Sequence, residues 1–291
     1  MDRIRKTEKF FPIIVKTFMP FLIPLIFYIP DTAISNKAKG IIVVAAIIID
    51  IFLYLFLESK EQKSKAEIFK NRAARIAYSH IYELNEIKRD FYIRHAKDGN
   101  TNQVYDVIDY LKDIGHSFRD VIGEITHIEK EGLHATVVYK INGEDEWKWA
   151  TQKESTLRVD VKTFLNKKET VFNQLMNPDN TGHYIGYIFY NDKSEMEKEN
   201  KYLMGTRDEM HGKKGSILGI KFGFATNTEY LVEGIIIVSS YGQRFVEDNN
   251  AGKIAELKKL IMDVIFPCYQ RMLETEMGAL YLEKRGQDNI K

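Results

Sequence analysis

The residues best equipped for chemistry lie in one short run. Gly205-Thr206-Arg207-Asp208-Glu209-Met210-His211-Gly212-Lys213-Lys214 places Arg207, Lys213, Lys214 and His211 between or beside two glycines. Guanidinium and ammonium groups are the usual partners of phosphate and carboxylate, and the glycines permit backbone movement. This run is the candidate ligand site; the alternative is a solvated loop whose charges do nothing specific. Trp147 and Trp149, in the segment EWKWATQ, fall on one face of a strand. They suit stacking on a base or, alternatively, packing under a helix. A third pair is Lys16 and Asp50, each the one ionisable residue in an apolar stretch, Phe10–Ile29 and Ile41–Leu57 respectively.

Catalytic signatures are lacking. The sequence contains no phosphate loop, HExxH or GxSxG. Its seven histidines, His80, His95, His116, His127, His134, His183 and His211, lack metal-ligand spacing. The expectation is therefore no enzyme, no catalytic residue and no metal, with cofactors left open. The formal net charge of +1 gives no global case for nucleic-acid binding. Cys268 is the single cysteine, so an intrachain disulfide is impossible, which suits a reducing compartment.

The apolar stretches read as a transmembrane hairpin over residues 1–57. In an antiparallel pair of spans, Lys16 and Asp50 lie at matched depth, roughly 9–11 Å inside the apolar zone at about 1.5 Å per residue. Isolated charges there are costly, so the two are expected to pair, within one chain or between neighbours. Pro12, Pro20 and Pro24 should bend the first span. Basic residues cluster before the first span (Arg3, Arg5, Lys6, Lys9) and after the second (Lys60, Lys63, Lys65, Lys70). The positive-inside rule then places both termini in the cytoplasm of a bacterial inner membrane.

Beyond the hairpin, residues 58–101 read as a helical stalk. Ala73, Ala77, Ile81, Leu84, Ile87 and Phe91 recur at three- and four-residue steps, ended by Asp98-Gly99-Asn100. Ala73 and Ala77 would allow close approach of a second copy, hence an expected homo-oligomer. A second amphipathic helix runs from Val104 to Ile128. The period then changes to strands at His134–Asn142, Glu146–Gln152, His183–Tyr190, Ser216–Phe224 and Leu231–Tyr241, the last expected at the sheet's centre. Helices are expected at Val161–Leu175 and from Asn249 onward, and Asn142-Gly143 signals a hairpin. The order predicts an α+β fold, an antiparallel sheet with helices on one face, over residues 102–291.

The strand pair SILGIKFGF and LVEGIIIVSSY, the acidic turn Arg244-Phe245-Val246-Glu247-Asp248 and the helix after it resemble a GAF domain, the small-molecule-sensing relative of the PAS fold. The resemblance implies a cytosolic sensor with a pocket between the sheet and its covering loops, lidded by the connection that holds Arg207 to Lys214. A nucleotide or metabolite is the implied ligand. With the hairpin, the chain resembles two-span membrane effectors of nucleotide-signalled anti-phage defence. The expected function is a membrane effector whose ligand binding or oligomerisation makes the bilayer leaky. The alternative is a membrane-anchored sensory or scaffold protein that docks a partner.

Overall fold

Alternation along the strands decides the architecture. In Leu231–Tyr241, Ile235 and Ile237 point to one side and Ile236 and Val238 to the other, and all four are buried. A strand apolar on both faces needs a cover on each. The computed structural model describes residues 36–98, 105–150, 170–177, 185–199, 201–202, 206–212 and 214–288. It divides into two compact units, Met1–Asn71 and Arg72–Lys291.

In the first unit the described residues belong to helix α1, which runs over Asn36–Asp98. Its apolar stretch leaves Ile41, Ile48, Phe52 and Phe56 exposed. Among the described residues this is the one helix long and apolar enough to cross a membrane. Phe10–Ile29, Lys16 and the side chain of Asp50 lie outside the described residues, and with them the predicted first span and charge pair.

The second unit holds a five-stranded antiparallel sheet flanked by helices, an α+β arrangement. Its strands are β1 (Leu133–Ile141), β2 (Lys148–Trp149), β3 (Tyr187–Tyr190), β4 (Ile217–Ala225) and β5 (Tyr230–Ser240), in the order β2-β1-β5-β4-β3. As expected, β5 is central, paired along its length with β1 and β4. At the β1–β2 turn, Gly143 takes a φ of 89°, the left-handed conformation that glycine adopts without penalty.

One face carries the larger core. Helix α2 (Val107–Thr126) lays Leu111, Ile114, Phe118 and Ile122 over Val137 and Tyr139 of β1, with Ile236 and Val238 of β5 in the same cluster. Asp106 caps α2 by accepting hydrogen bonds from the amides of Ile108 and Asp109. Ala73, Ala77 and Leu84 of α1 belong to this core. The alanines expected to offer a surface to a second copy are thus taken up by the chain's own packing, and Ile87, expected on the same face, is exposed.

The opposite face is covered too, which corrects the expectation of helices on one face only. Helix α3 (Val171–Met176) sets Val171, Phe172 and Leu175 against Val138, Ile188, Ile217, Ile235 and Ile237. The sequence pattern extends this helix back to residue 161, but residues 161–169 lie outside the described ones. Two short helices, α4 (Lys193–Lys198) and α5 (Thr206–His211), lie between β3 and β4. Met196 of α4 joins the α3 cluster.

The chain closes with α6 (Ala251–Leu260), a π-helical turn over Ile261–Ile265 and α7 (Phe266–Asp288). Pro267 has no amide to give, and the wide turn just before it carries the helix through that gap. Cys268 is half-buried, and its thiol donates to the Val264 carbonyl at 3.3 Å.

Gly115 lets α2 lie close on β1, since a Cβ there would stand 2.6 Å from Cγ2 of Val137. Alanine favours an isolated helix over glycine by up to about 1 kcal/mol, yet overpacking costs about 1–3 kcal/mol. Gly115→Ala should therefore lower stability, measured as an earlier urea midpoint of the full chain in detergent. A later midpoint would show that α2 can shift away from the sheet at no cost.

Candidate functional site

The exit of β5 is where charged groups meet inside the protein. Lys193 is the first residue of α4, a helix whose start is capped by Asp192 through the Ser194 amide. A cation in a first helical turn opposes the helix dipole, so this lysine breaks a local rule. Its ammonium is 1% exposed and 3.1 Å from Oδ1 of Asp208 on α5, itself 2% exposed. The hydroxyl of Tyr202 donates to the other Asp208 oxygen at 2.8 Å. Tyr241, just past β5, places its ring centroid 3.6 Å from the ammonium, and the Tyr202 ring stands at 5.0 Å. The result is a buried ion pair in a tyrosine cage, with the cation over π faces.

The walls are rigid. Asn191 ties the turn after β5 to β3: its side-chain amide donates to Val246 O at 2.8 Å, and its Oδ1 accepts from Val246 N at 2.9 Å. The Ser216 hydroxyl donates to Asn191 O at 2.7 Å and accepts from Phe245 N at 2.8 Å. Gly215 passes so close to Ser240 that a Cβ would fall 2.2 Å from the Ser240 carbonyl, and its own carbonyl accepts the Lys193 amide at 2.8 Å. Arg244 of the same turn forms an ion pair with Asp192. Hydrogen bonds from Ser194 and the Arg244 charge outweigh burial and hold the Asp192 carboxyl below its ordinary range.

The predicted residues divide between two places. Arg207 lies close enough to Tyr241 to favour its phenolate, although burial dominates and pushes that phenol up to about 12. His211 is exposed, its ring 6.4 Å from that of Tyr241. Lys214 pairs with Glu247, and its carbonyl accepts from Gly242 N at 2.7 Å. Lys213 lies outside the described residues. Trp147 and Trp149 belong elsewhere: Trp147 meets Phe172 edge-on at 5.0 Å, and Trp149, on β2, is buried in the α3 cluster. Two open grooves, of ≈ 290 Å³ at the Asn142–Gly143 turn and ≈ 350 Å³ beside Tyr105, include none of the predicted site residues.

Sequence reasoning missed Lys193, Asp208, Tyr202 and Tyr241 as a unit. The available signal was Lys193 itself, a cation placed directly after a strand and at a helix start. A second buried carboxylate was missed as well. Glu276 of α7, 2% exposed, pairs with Lys88 of α1 and accepts from the Tyr105 hydroxyl, while the Lys88 ammonium lies 5.1 Å from the Tyr110 ring. Tyr110 in turn donates to Leu84 O at 3.0 Å. This cluster clamps the end of α1 to α2 and α7. Burial, assisted by the Glu276 charge, raises both phenols above their ordinary range.

Among the described residues no group of three or more His, Cys, Asp or Glu could hold a metal ion. Comparison with protein-family models, curated proteins and solved structures gave no match.

The buried lysine makes a signed prediction. Desolvation lowers its pKa from 10.5 to about 8, with Asp208 pulling the other way. The unfolded chain therefore holds this proton more tightly, so stability rises between pH 8 and 10, by about 2 kcal/mol. Above pH 10 Tyr241, raised to about 12, reverses the trend, because the unfolded phenol ionises first. Urea unfolding of the full chain in detergent should show the rise, and Lys193→Met should abolish it; a flat profile in the unsubstituted chain would contradict a buried ammonium. Asp208→Ala strands that charge and should cost about 3–5 kcal/mol at pH 7.

Proposed function

We propose that the chain is a membrane-anchored sensor, a GAF-like cytosolic domain whose ligand- or oligomerisation-controlled change acts on a transmembrane hairpin and permeabilises a bacterial inner membrane. One observation carries the reading. The helix that gives Ala73, Ala77 and Leu84 to the domain core is the same helix, Asn36–Asp98, that carries an exposed apolar stretch. An exposed stretch of that length and composition is unfavourable in water and suited to hydrocarbon.

The GAF-like assignment is supported by a central β5 in a five-stranded antiparallel sheet, by terminal helices on one face and by the β3–β4 connection folded over the end of that sheet. The sensing role is supported by the Lys193–Asp208 pair. A buried ion pair is weak as a stabilising device, so its place in a folded-over connection suits a contact that a ligand exchanges. A ligand shifts such an equilibrium only through differential affinity for the two states. Lys16 and Asp50 would settle each other inside the bilayer.

Expression of the full chain in bacteria, followed with a potentiometric dye, tests the effector reading. Depolarisation is expected, and Asp50→Asn and Lys16→Ala should change its extent. A chain that sediments with membranes but leaves the potential intact, with the same result for both variants, supports the anchored scaffold instead. A chain recovered in the soluble fraction without detergent overturns both.

A further inference from the structure

The groove beside Tyr105 holds a polar group that the chain itself does not satisfy. Its volume of ≈ 350 Å³ falls within the range of small-molecule sites, about 300–1,000 Å³. The start of α2 supplies Asp106 and Ile108 to its walls, β1 supplies Tyr139, and α7 supplies Leu280, Glu283 and Lys284. Tyr105, also in the wall, is fixed in place: its hydroxyl donates to Glu276, and its ring lies 5.6 Å from that of Phe91 and 5.7 Å from that of Tyr92. Tyr139 is only 4% exposed, yet among the described residues nothing hydrogen-bonds its hydroxyl. By contrast Tyr105, Tyr110 and Tyr269 share hydrogen bonds with Glu276, Leu84 O and Ser117. A buried hydroxyl left unpaired costs free energy, and this one borders the groove.

We propose that this groove binds a small organic cation, a primary amine on an apolar body, whose ammonium faces Asp106 and Glu283 and donates to the Tyr139 hydroxyl. The charge around that hydroxyl selects the class. Burial, then the charges of Glu144, Asp106 and Glu283, push the phenol up to about 12, so its oxygen stays neutral in a negative field. Lys284, the cation lining the groove, lies 3.4 Å from Oε1 of Glu144. Among the described residues Asp106 and Glu283 have no cationic partner; Asp106 accepts only the backbone amides that it caps. A phenol oxygen accepts as well as donates, and tyrosine faces attract cations. The apolar body has Ile108, Leu280 and the Tyr105 ring to lie against. An anion would meet two carboxylates, and a bare metal ion would leave the apolar wall unused. The inference goes beyond the sensor reading, whose ligand contact is the Lys193–Asp208 pair, and stands whether or not the membrane reading holds.

The test uses the purified full-length chain in non-ionic detergent micelles near neutral pH, with phenethylamine as probe. Phenylethanol serves as the neutral counterpart of the same shape and phenylpropionate as the anion. Equilibrium dialysis, corrected with empty micelles, reads binding. Phenethylamine should bind saturably, one per chain, with phenylethanol at least about tenfold weaker and phenylpropionate not bound. Tyr139→Phe keeps the ring and should weaken the amine about tenfold. Glu283→Gln, at an exposed position, and Asp106→Asn, which keeps the helix cap, should each weaken it about two- to fivefold. If Tyr139→Phe misfolds, the other two variants decide alone. Unchanged affinity in the chain that carries both overturns the proposal, as does equal affinity for alcohol and amine or the lack of saturable binding. Dialysis does not depend on membrane leakage, so failure here beside intact depolarisation removes the groove and leaves the membrane reading, whereas binding without depolarisation does the reverse.

Discussion

A central strand apolar on both sides is the constraint from which the rest follows. Val232, Ile236 and Val238 of β5 face α2 and α7, while Ile235 and Ile237 face α3. Each fully buried aliphatic side chain contributes about 1.5–3 kcal/mol only if water is kept off its face. One face is closed by long helices with regular spacing. The other is closed by the connection from β2 to β4, which is short of apolar residues and supplies α3 and Met196. That connection must also return to the sheet at Gly215, beside Ser240, where no room exists for a side chain. The forced approach brings Lys193, Asp208 and Tyr202 to the end of β5.

Charge burial at that point is the costly feature. Replacing a buried ion pair with apolar residues of similar size is often neutral or stabilising by about 1–4 kcal/mol. Lys193 and Asp208 thus add little to the net stability of the fold while making it sensitive to the loss of either partner. The same holds at Glu276, where Lys88, Tyr105 and Tyr110 surround a carboxylate that packing alone did not require. Each cluster fastens a segment that the hydrophobic core does not fully hold: α5 in one case and the end of α1 in the other.

Elements with strong period were legible in the sequence. Leu231–Tyr241 announced a buried central strand, Asn142-Gly143 the hairpin of β1 and β2, and the three- and four-residue steps from Val104 the helix α2. Ala73 and Ala77 were legible as small residues on a helix face, but smallness does not say whether a neighbouring helix belongs to another copy or to the same chain. The helix that covers the second sheet face was legible within Val161–Leu175, but a helical pattern does not say which face of a sheet it covers, and isolated side chains such as Met196 carry no period. Lys193 and Asp208 are separated by fifteen residues in a stretch where charge is the norm. A lysine destined for burial reads there like any solvated one until the strand behind it is known to end against Gly215. Arg207, His211 and Lys214 were singled out for a different reason, cationic composition; Arg207 and His211 share α5 with Asp208, while Lys214 pairs with Glu247.

The two polar clusters are joined by rigid parts. Gly234 near the start of β5 leaves room for Met277, whose Cε would lie 2.9 Å from a Cβ there, and the next residue back along α7 is Glu276. Tyr241, at the other end of the same strand, forms the floor under Lys193. A strand paired on both edges does not bend cheaply, so β5 holds its two ends at a fixed spacing. At one end the Lys193–Asp208 pair lies over Tyr241, and at the other Glu276 holds Lys88 beside the rings of Tyr105 and Tyr110. Spatial continuity of this kind is not by itself a coupling; it sets two buried carboxylates, each with its lysine, against the opposite ends of one paired strand.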